Sequence, residues 1–386
     1  MSRGLTRALA AACGAVLAGP GLLAGCGSQP ARVASPSPPP VTASLSTSLV
    51  TAQGTWAIAV MGGSAASHNN FWQLFVRPAG AGRWSLVTPQ GVADNGGLVA
   101  AGGSGSLTVG VRPSQGLAFS PLAMSTDVGR NWTPGLLDAA LADTPGAIAV
   151  APSGRILALL QDGTIQAAPT ASAAAAGQWA PLATRNALTA SAPGRSCGLV
   201  GVNAVSFGPD KNPVAAGGCE RPGVAGVFTD TGGTWRSAGL TLPGRGRVQV
   251  LGLAATAGGN VALLTAGDSL FAAWWNGTRW TVSAPVTSGP VRALGFGPGG
   301  GAWLLLGDGR AETISGAGAA WRALPPVPAG TQVLVPPGPA TLAPGTGGSY
   351  DALAVAAARL TVWRLAGGAW AKVQLINVPI EYGSSS

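Results

Sequence analysis

STDVGRNW, Ser125 to Trp132, sets a serine, an aspartate two residues on, a glycine two further and a tryptophan three beyond that. Serine and aspartate side chains accept hydrogen bonds from nearby backbone N–H groups, and glycine takes positive φ at no steric cost, so the stretch reads as a tight hairpin turn. It has relatives along the chain. TDTGGTW (Thr229–Trp235) keeps aspartate, glycine and tryptophan, with Phe228 in the serine position. WNGTRW (Trp275–Trp280) turns on Asn276-Gly277, while SGAGAAW (Ser315–Trp321) and LAGGAW (Leu365–Trp370) keep the glycine three before the tryptophan. AGAGRW (Ala79–Trp84) and AAAAGQW (Ala173–Trp179) have the glycine displaced.

The tryptophans of these turns, at 84, 132, 179, 235, 280, 321 and 370, are separated by 48, 47, 56, 45, 41 and 49 residues. Upstream of each lies an apolar strand, a glycine turn, a second apolar strand, a short turn and a third strand, as in GAIAVAPSGRILALLQDGTIQAA (Gly146–Ala168). With a fourth strand after each tryptophan, every unit is a four-stranded antiparallel meander. A period in the forties with one turn signature per unit is the mark of a propeller array. The expected fold is all-β, a seven-bladed β-propeller over 44–381, with a pair of β-sandwiches as the alternative.

The turn resembles the Asp-box family of propellers, which includes sialidases and other BNR-repeat proteins. Its pattern, S/T-x-D-x-G-x-x-W, is met in full by Ser125, Asp127, Gly129 and Trp132, and in part by Asp230, Gly232 and Trp235. The resemblance implies that these are structural residues: hairpin turns between third and fourth strands, with the indole packed between sheets. It also implies that ligands meet the opposite rim, built from the second-to-third turns and the connections between blades.

Composition agrees with an all-β body. Charged residues are 9% of the 386, against 61 glycines and 31 prolines, which favours many short strands over helices. The only lysines are Lys211 and Lys372, so the formal charge of +9 is carried mostly by scattered arginines, which excludes no envelope partner but offers no nucleic-acid module. The N-terminus carries Arg3 and Arg7, an apolar run from Ala8 to Leu23, then LAGC to Cys26. Basic, apolar and small residues in that order describe a secretory signal. LAGC resembles the lipobox of bacterial lipoproteins, which implies cleavage after residue 25 and lipidation of Cys26. Residues 26–43 form an expected Pro/Ser-rich disordered tether and 382–386 a disordered tail. The expectation is an exported monomer, held on the outer face of the plasma membrane by its lipid. Cys197 and Cys219 then face an oxidising compartment as an isolated pair, the usual setting for a disulfide.

Catalytic chemistry is scarce. Asp162, Asp268 and Asp308 all fall at second-to-third turns, which is hairpin chemistry. A sialidase needs an arginine cluster, a tyrosine nucleophile with a carboxylate partner, and an acid; this chain has only Tyr350 and Tyr382, and Glu220, Glu312 and Glu381. The single histidine, His68, builds no His-based metal site, and no cofactor motif occurs, so no cofactor or metal is expected. Two segments break the repeat on the presumed ligand rim. GGSAASHNNFW (Gly62–Trp72) presents His68, Asn70 and Trp72; TRNALTASAPGRSCG (Thr184–Gly198) with CERPG beyond it places Arg195, Glu220 and Arg221 beside the cysteines. The expected function is a non-enzymatic binding or assembly scaffold for an envelope protein or glycan. The alternative is a glycan or cell-wall hydrolase using a pair such as Asp94 with Glu220.

Overall fold

Runs such as Ile156-Leu-Ala-Leu159 and Ala302-Trp-Leu-Leu-Leu306 are apolar at every position, the signature of strands buried on both faces. A computed structural model describes residues 46–51, 53–62, 70–89, 98–103, 106–111, 122–135, 145–243, 246–287, 289–336 and 350–378, all in the compact unit Pro39–Ser386. There the strands follow one another as antiparallel meanders. They begin with β1 (Ser46–Thr51), β2 (Gly54–Gly62), β3 (Asn70–Pro78) and β4 (Ser85–Leu86), followed by β5 (Leu98–Gly103), β6 (Ser106–Val111), β7 (Leu122–Ser125) and β8 (Thr133–Gly135). The next meander is β9 (Ala147–Val150), β10 (Ile156–Leu159), β11 (Ile165–Ala168) and β12 (Ala180–Ala183), with a helix, α1 (Ala171–Ala175), before its last strand. Helices α2 (Arg185–Ala190) and α3 (Ala192–Cys197) lead into β13 (Leu199–Phe207), β14 (Pro213–Cys219), β15 (Gly226–Thr231) and β16 (Thr234–Ser237). Then come β17 (Val248–Thr256), β18 (Gly259–Ala266), β19 (Ser269–Trp275) and β20 (Trp280–Val282), with β21 (Val286–Thr287) also on β19. The chain continues with β22 (Val291–Phe296), β23 (Ala302–Leu306), β24 (Ala311–Ile314) and β25 (Arg322–Ala323), and closes with β26 (Thr331–Val335), β27 (Asp351–Ala356), β28 (Arg359–Ala366) and β29 (Ala369–Asn377). Because β1 also pairs in parallel with β22, the meanders holding them share one eight-stranded sheet.

Period-two alternation explains the packing. In β10, Ile156 and Ala158 face the preceding meander through Leu122 and Met124, while Leu157 and Leu159 face the following one through Val205 and Phe207. In β18, Ala262 and Leu264 pack backwards on Val214 and Val227, and Val261 and Leu263 forwards on Phe296 and Leu304. In β2, Trp56 and Ile58 meet Leu107 and Val109 of the second meander, and Ala57 and Met61 meet Val333 and Leu353 of the last. Each fully buried leucine or isoleucine here contributes roughly 1.5–3 kcal/mol. Face-to-face stacking of successive short meanders, with the first also packed on the last, is β-propeller architecture.

Every repeat tryptophan stands at or immediately before the fourth strand of its meander, as the hairpin reading requires. The indoles also link units. Trp132 Nε1 donates to Val87 O at 2.9 Å, Trp280 to Ala238 O at 3.0 Å, Trp321 to Ser283 Oγ at 3.1 Å and Trp370 to Pro325 O at 3.3 Å. Each acceptor lies one or two residues past the fourth strand of the preceding meander. AAAAGQW departs from the expected hairpin. Its alanines form α1, capped by Thr170 Oγ1 accepting from Ala173 N, and Trp179 Nε1 donates to Ala174 O in its own unit.

Candidate functional site

The Ser125–Trp132 turn is a closed local network. Ser125 Oγ donates to Asp127 Oδ1 at 2.8 Å and accepts from Gly129 N at 2.8 Å; Asp127 accepts from the Asn131 backbone at 2.9 Å and from Asn131 Nδ2 at 2.5 Å. The Asn131 backbone bond, followed by the Asn131 and Ser125 side-chain bonds, holds the Asp127 carboxyl at about 2, below its ordinary 3.8. Gly129 holds φ +82, and a Cβ there would sit 2.8 Å from Val87 Cβ. Val128 holds φ +63, a conformation costing a β-branched residue of order 1–3 kcal/mol. Its packing on the Trp56–Val109 cluster offsets this. In the Thr229–Trp235 turn, buried Asp230 accepts from Gly233 N at 2.9 Å across the Gly232-Gly233 hairpin, and pairs in register with Trp235.

Four further aspartates are similarly engaged, while Asp268 lies exposed in the β18–β19 turn. Asp162 accepts from Thr164 N at 2.8 Å, Asp210 from Asn212 N at 3.1 Å and Asp308 from Arg310 N at 2.9 Å. Asp351, fully buried, accepts from Trp84 Nε1 at 2.9 Å and Arg364 Nε at 2.8 Å and forms an ion pair with Arg77. Burial pulls the Arg77 guanidinium below its ordinary value while Asp351 pulls it up; the Asp351 bond raises Arg364.

On the rim formed by the strand entrances, α2, α3 and a disulfide make a knob. Cys197 ends α3, Cys219 ends β14, their Cα atoms are 5.4 Å apart, and Leu199 pairs with Cys219. Thr184 Oγ1 caps α2 by accepting from Ala187 N, Ser191 Oγ caps α3 by accepting from Gly194 N, and Gly198 ends α3 at φ +68. Arg195 is spent on the knob, its guanidinium donating to Ala190 O. Glu220 and Arg221 leave β14 on the same knob, their amides donating to Gly198 O at 2.9 Å and Cys197 O at 3.0 Å, and both residues are exposed. The sequence marks this entrance only as a break in the repeat, although Thr184, Ser191-Ala-Pro193 and Gly198 are ordinary helix-cap signals.

Of the other rim residues, Asn70 is the first residue of β3, and Trp72, opposite Val60, packs half-buried on the Trp56–Leu74 cluster. His68, Asp94 and Cys26 lie outside the described residues. Among the described residues no group of three metal-ligating side chains occurs, and no helix is long and apolar enough to cross a membrane. At the opposite rim, a groove of about 390 Å³ opens between the β13–β16 and β17–β20 meanders, lined by Asp210, Thr229, Thr231, Arg236, Trp275 and Asn276 among others.

No family model and no curated protein matches the chain. Among solved structures, it is similar to YCF48 bound to D1 peptide (15% identity, TM-score 0.48, covering 81% of this chain and 90% of that one). It is similar also to YCF48 from Cyanidioschyzon merolae (16%, 0.49, 82% and 93%). A protein from Lactobacillus plantarum aligns at 10% identity and a TM-score of 0.50, over 84% of this chain and 97% of that one. At such identities the likeness concerns the fold alone.

Proposed function

We propose that the chain is a seven-bladed β-propeller of the Asp-box kind, lipid-anchored through Cys26 to the outer face of a bacterial plasma membrane. In this reading it binds an envelope protein or glycan without turning it over. The observation that carries the proposal is the use of its acids. Asp127, Asp162, Asp210, Asp230 and Asp308 accept bonds within their own turns and Asp351 sits in a buried ion cluster, so six of the described acids are bonded into the frame. The disulfide knob supplies a rigid platform that displays Glu220 and Arg221 to solvent.

The test is capture of partners from native envelope by the full chain, with bound proteins and glycans identified by mass spectrometry. Arg221→Ala with Glu220→Gln should reduce capture of a specific partner at least about tenfold at unchanged melting temperature. Turnover of any glycan that Glu220→Gln abolishes while binding persists would replace this reading with the hydrolase.

A further inference from the structure

The groove at the box rim departs from the repeat. In register, Trp275 faces Trp280 across the β19–β20 hairpin, where the equivalent pairs are Asp230 with Trp235 and Leu365 with Trp370. A second tryptophan therefore replaces an aspartate or a leucine. Trp280 is the repeat indole and gives its N–H to Ala238 O. Trp275 is additional: half-buried, with its ring centroid 5.4 Å from that of Trp280 at 41°. Its Nε1 donates to no acceptor among the described residues.

Opposite it, the β15–β16 hairpin turns one face to the groove. Thr229 pairs with Arg236 and Thr231 lies two residues on, so strand alternation sets these side chains together, while Asp230 points into the protein. The exposed Arg236 guanidinium pairs with no carboxylate among the described residues. The Gly208–Asp210 turn forms the end of the groove and adds an exposed carboxylate; a Cβ on Gly277 would come 3.6 Å from Pro209 Cγ, so the two meanders approach closely here. An apolar aromatic wall faced by a guanidinium, hydroxyls and a carboxylate matches the two surfaces of a pyranose, whose C–H face stacks on an indole and whose hydroxyls both donate and accept. The volume of about 390 Å³ lies within the range of small-ligand sites, roughly 300–1,000 Å³.

We infer that this groove is a glycan-binding site for a pyranose unit, with Trp275 as the stacking platform and Arg236, Thr231 and Asp210 as the hydroxyl partners. It is separate from the knob, which lies at the other end of β13, nine residues or about 30 Å away. The inference therefore stands whichever ligand the knob takes.

Isothermal titration of the full chain with chitohexaose, cellohexaose and maltohexaose tests it, with melting temperature as the control for folding. At least one hexasaccharide should bind at millimolar concentration or better. Arg236→Ala, a change at an exposed position, and Trp275→Ala should each weaken that binding about tenfold or more; the knob variant Arg221→Ala should leave it unchanged. If no hexasaccharide binds, if either folded groove variant keeps the parent affinity, or if Arg221→Ala weakens it equally, the assignment falls. Should Trp275→Ala fail to fold, Arg236→Ala alone decides.

Discussion

At the scale of single residues, Asp127 shows how a hairpin turn uses charge. Its ionised form accepts the Asn131 amide, the Asn131 side chain and the Ser125 hydroxyl, and its folded value of about 2 lies below the ordinary 3.8. A depressed carboxyl stabilises the fold fully above its unfolded value and loses that contribution as pH falls towards the folded one. Asp127→Asn should therefore cost most at neutral pH and progressively less between pH 3.8 and about 2. Urea midpoints of parent and variant across that range check it; a gap independent of pH would contradict it. Residues of this kind were legible in sequence because their partners lie within four positions. Gln332 and Gln374 were not. Gln332 accepts from Val60 N at 2.8 Å and donates to Val60 O at 2.7 Å; Gln374 does the same with Trp84, at 2.8 Å each way. Their partners are 272 and 290 residues distant, and nothing local distinguishes them from surface glutamines.

Elements were read well where one periodicity governs them. The tryptophan spacing located every fourth strand because the indole must pack on, and in four cases bond to, the unit before it. The α1 segment escaped because a run of alanines has the highest helix propensity and Thr170 caps it, overriding the turn. The paired helices before β13 are tied to the sheet by the Cys197–Cys219 bond, by buried Leu188 and by the Arg185 guanidinium donating to Val200 O. Closing a 22-residue separation contributes about 3 kcal/mol by loop-closure entropy. Changing both cysteines to alanine should lower unfolding free energy by about that much. It should also speed hydrogen exchange at the Glu220 and Arg221 amides, which donate to carbonyls of the α3 terminus. Unaltered stability together with protected amides would show that the knob is held by packing alone.

For the whole molecule, the central question is how a chain of sequence-local meanders returns to its beginning. No strand is exchanged between the two described ends: β1–β4 and β26–β29 are each contiguous in the chain. The first and last units meet instead through an apolar layer, Ala57 and Met61 on Val333 and Leu353, and through two glutamines bonding like strands and a buried ion cluster at Asp351. Asp351 has no exposed surface and holds Arg77, whose side chain is 9% exposed, together with Arg364 and the Trp84 indole. Removing one member of such a buried pair leaves the other uncompensated, at a cost of about 3–5 kcal/mol, whereas replacing both by apolar residues is often nearly neutral. Asp351→Asn keeps the shape and the acceptor for Trp84 but removes the charge, so its unfolding free energy should drop by about that amount. Arg77→Met with Asp351→Asn, which removes the unpaired guanidinium and keeps the acceptor for Trp84, should recover much of the loss. Exchange of the Val60 and Trp84 amides, which face the two glutamines, should accelerate in Asp351→Asn before amides in the β13–β16 meander do. That order follows because the junction of the first and last units carries, beside its apolar layer, a buried charge with no substitute in Asp351→Asn, while the junctions between chain neighbours rest on apolar layers and indole bonds. Uniform acceleration across all meanders would show that the first and last units open only with the rest, and that the cluster stabilises the ring without being its point of opening.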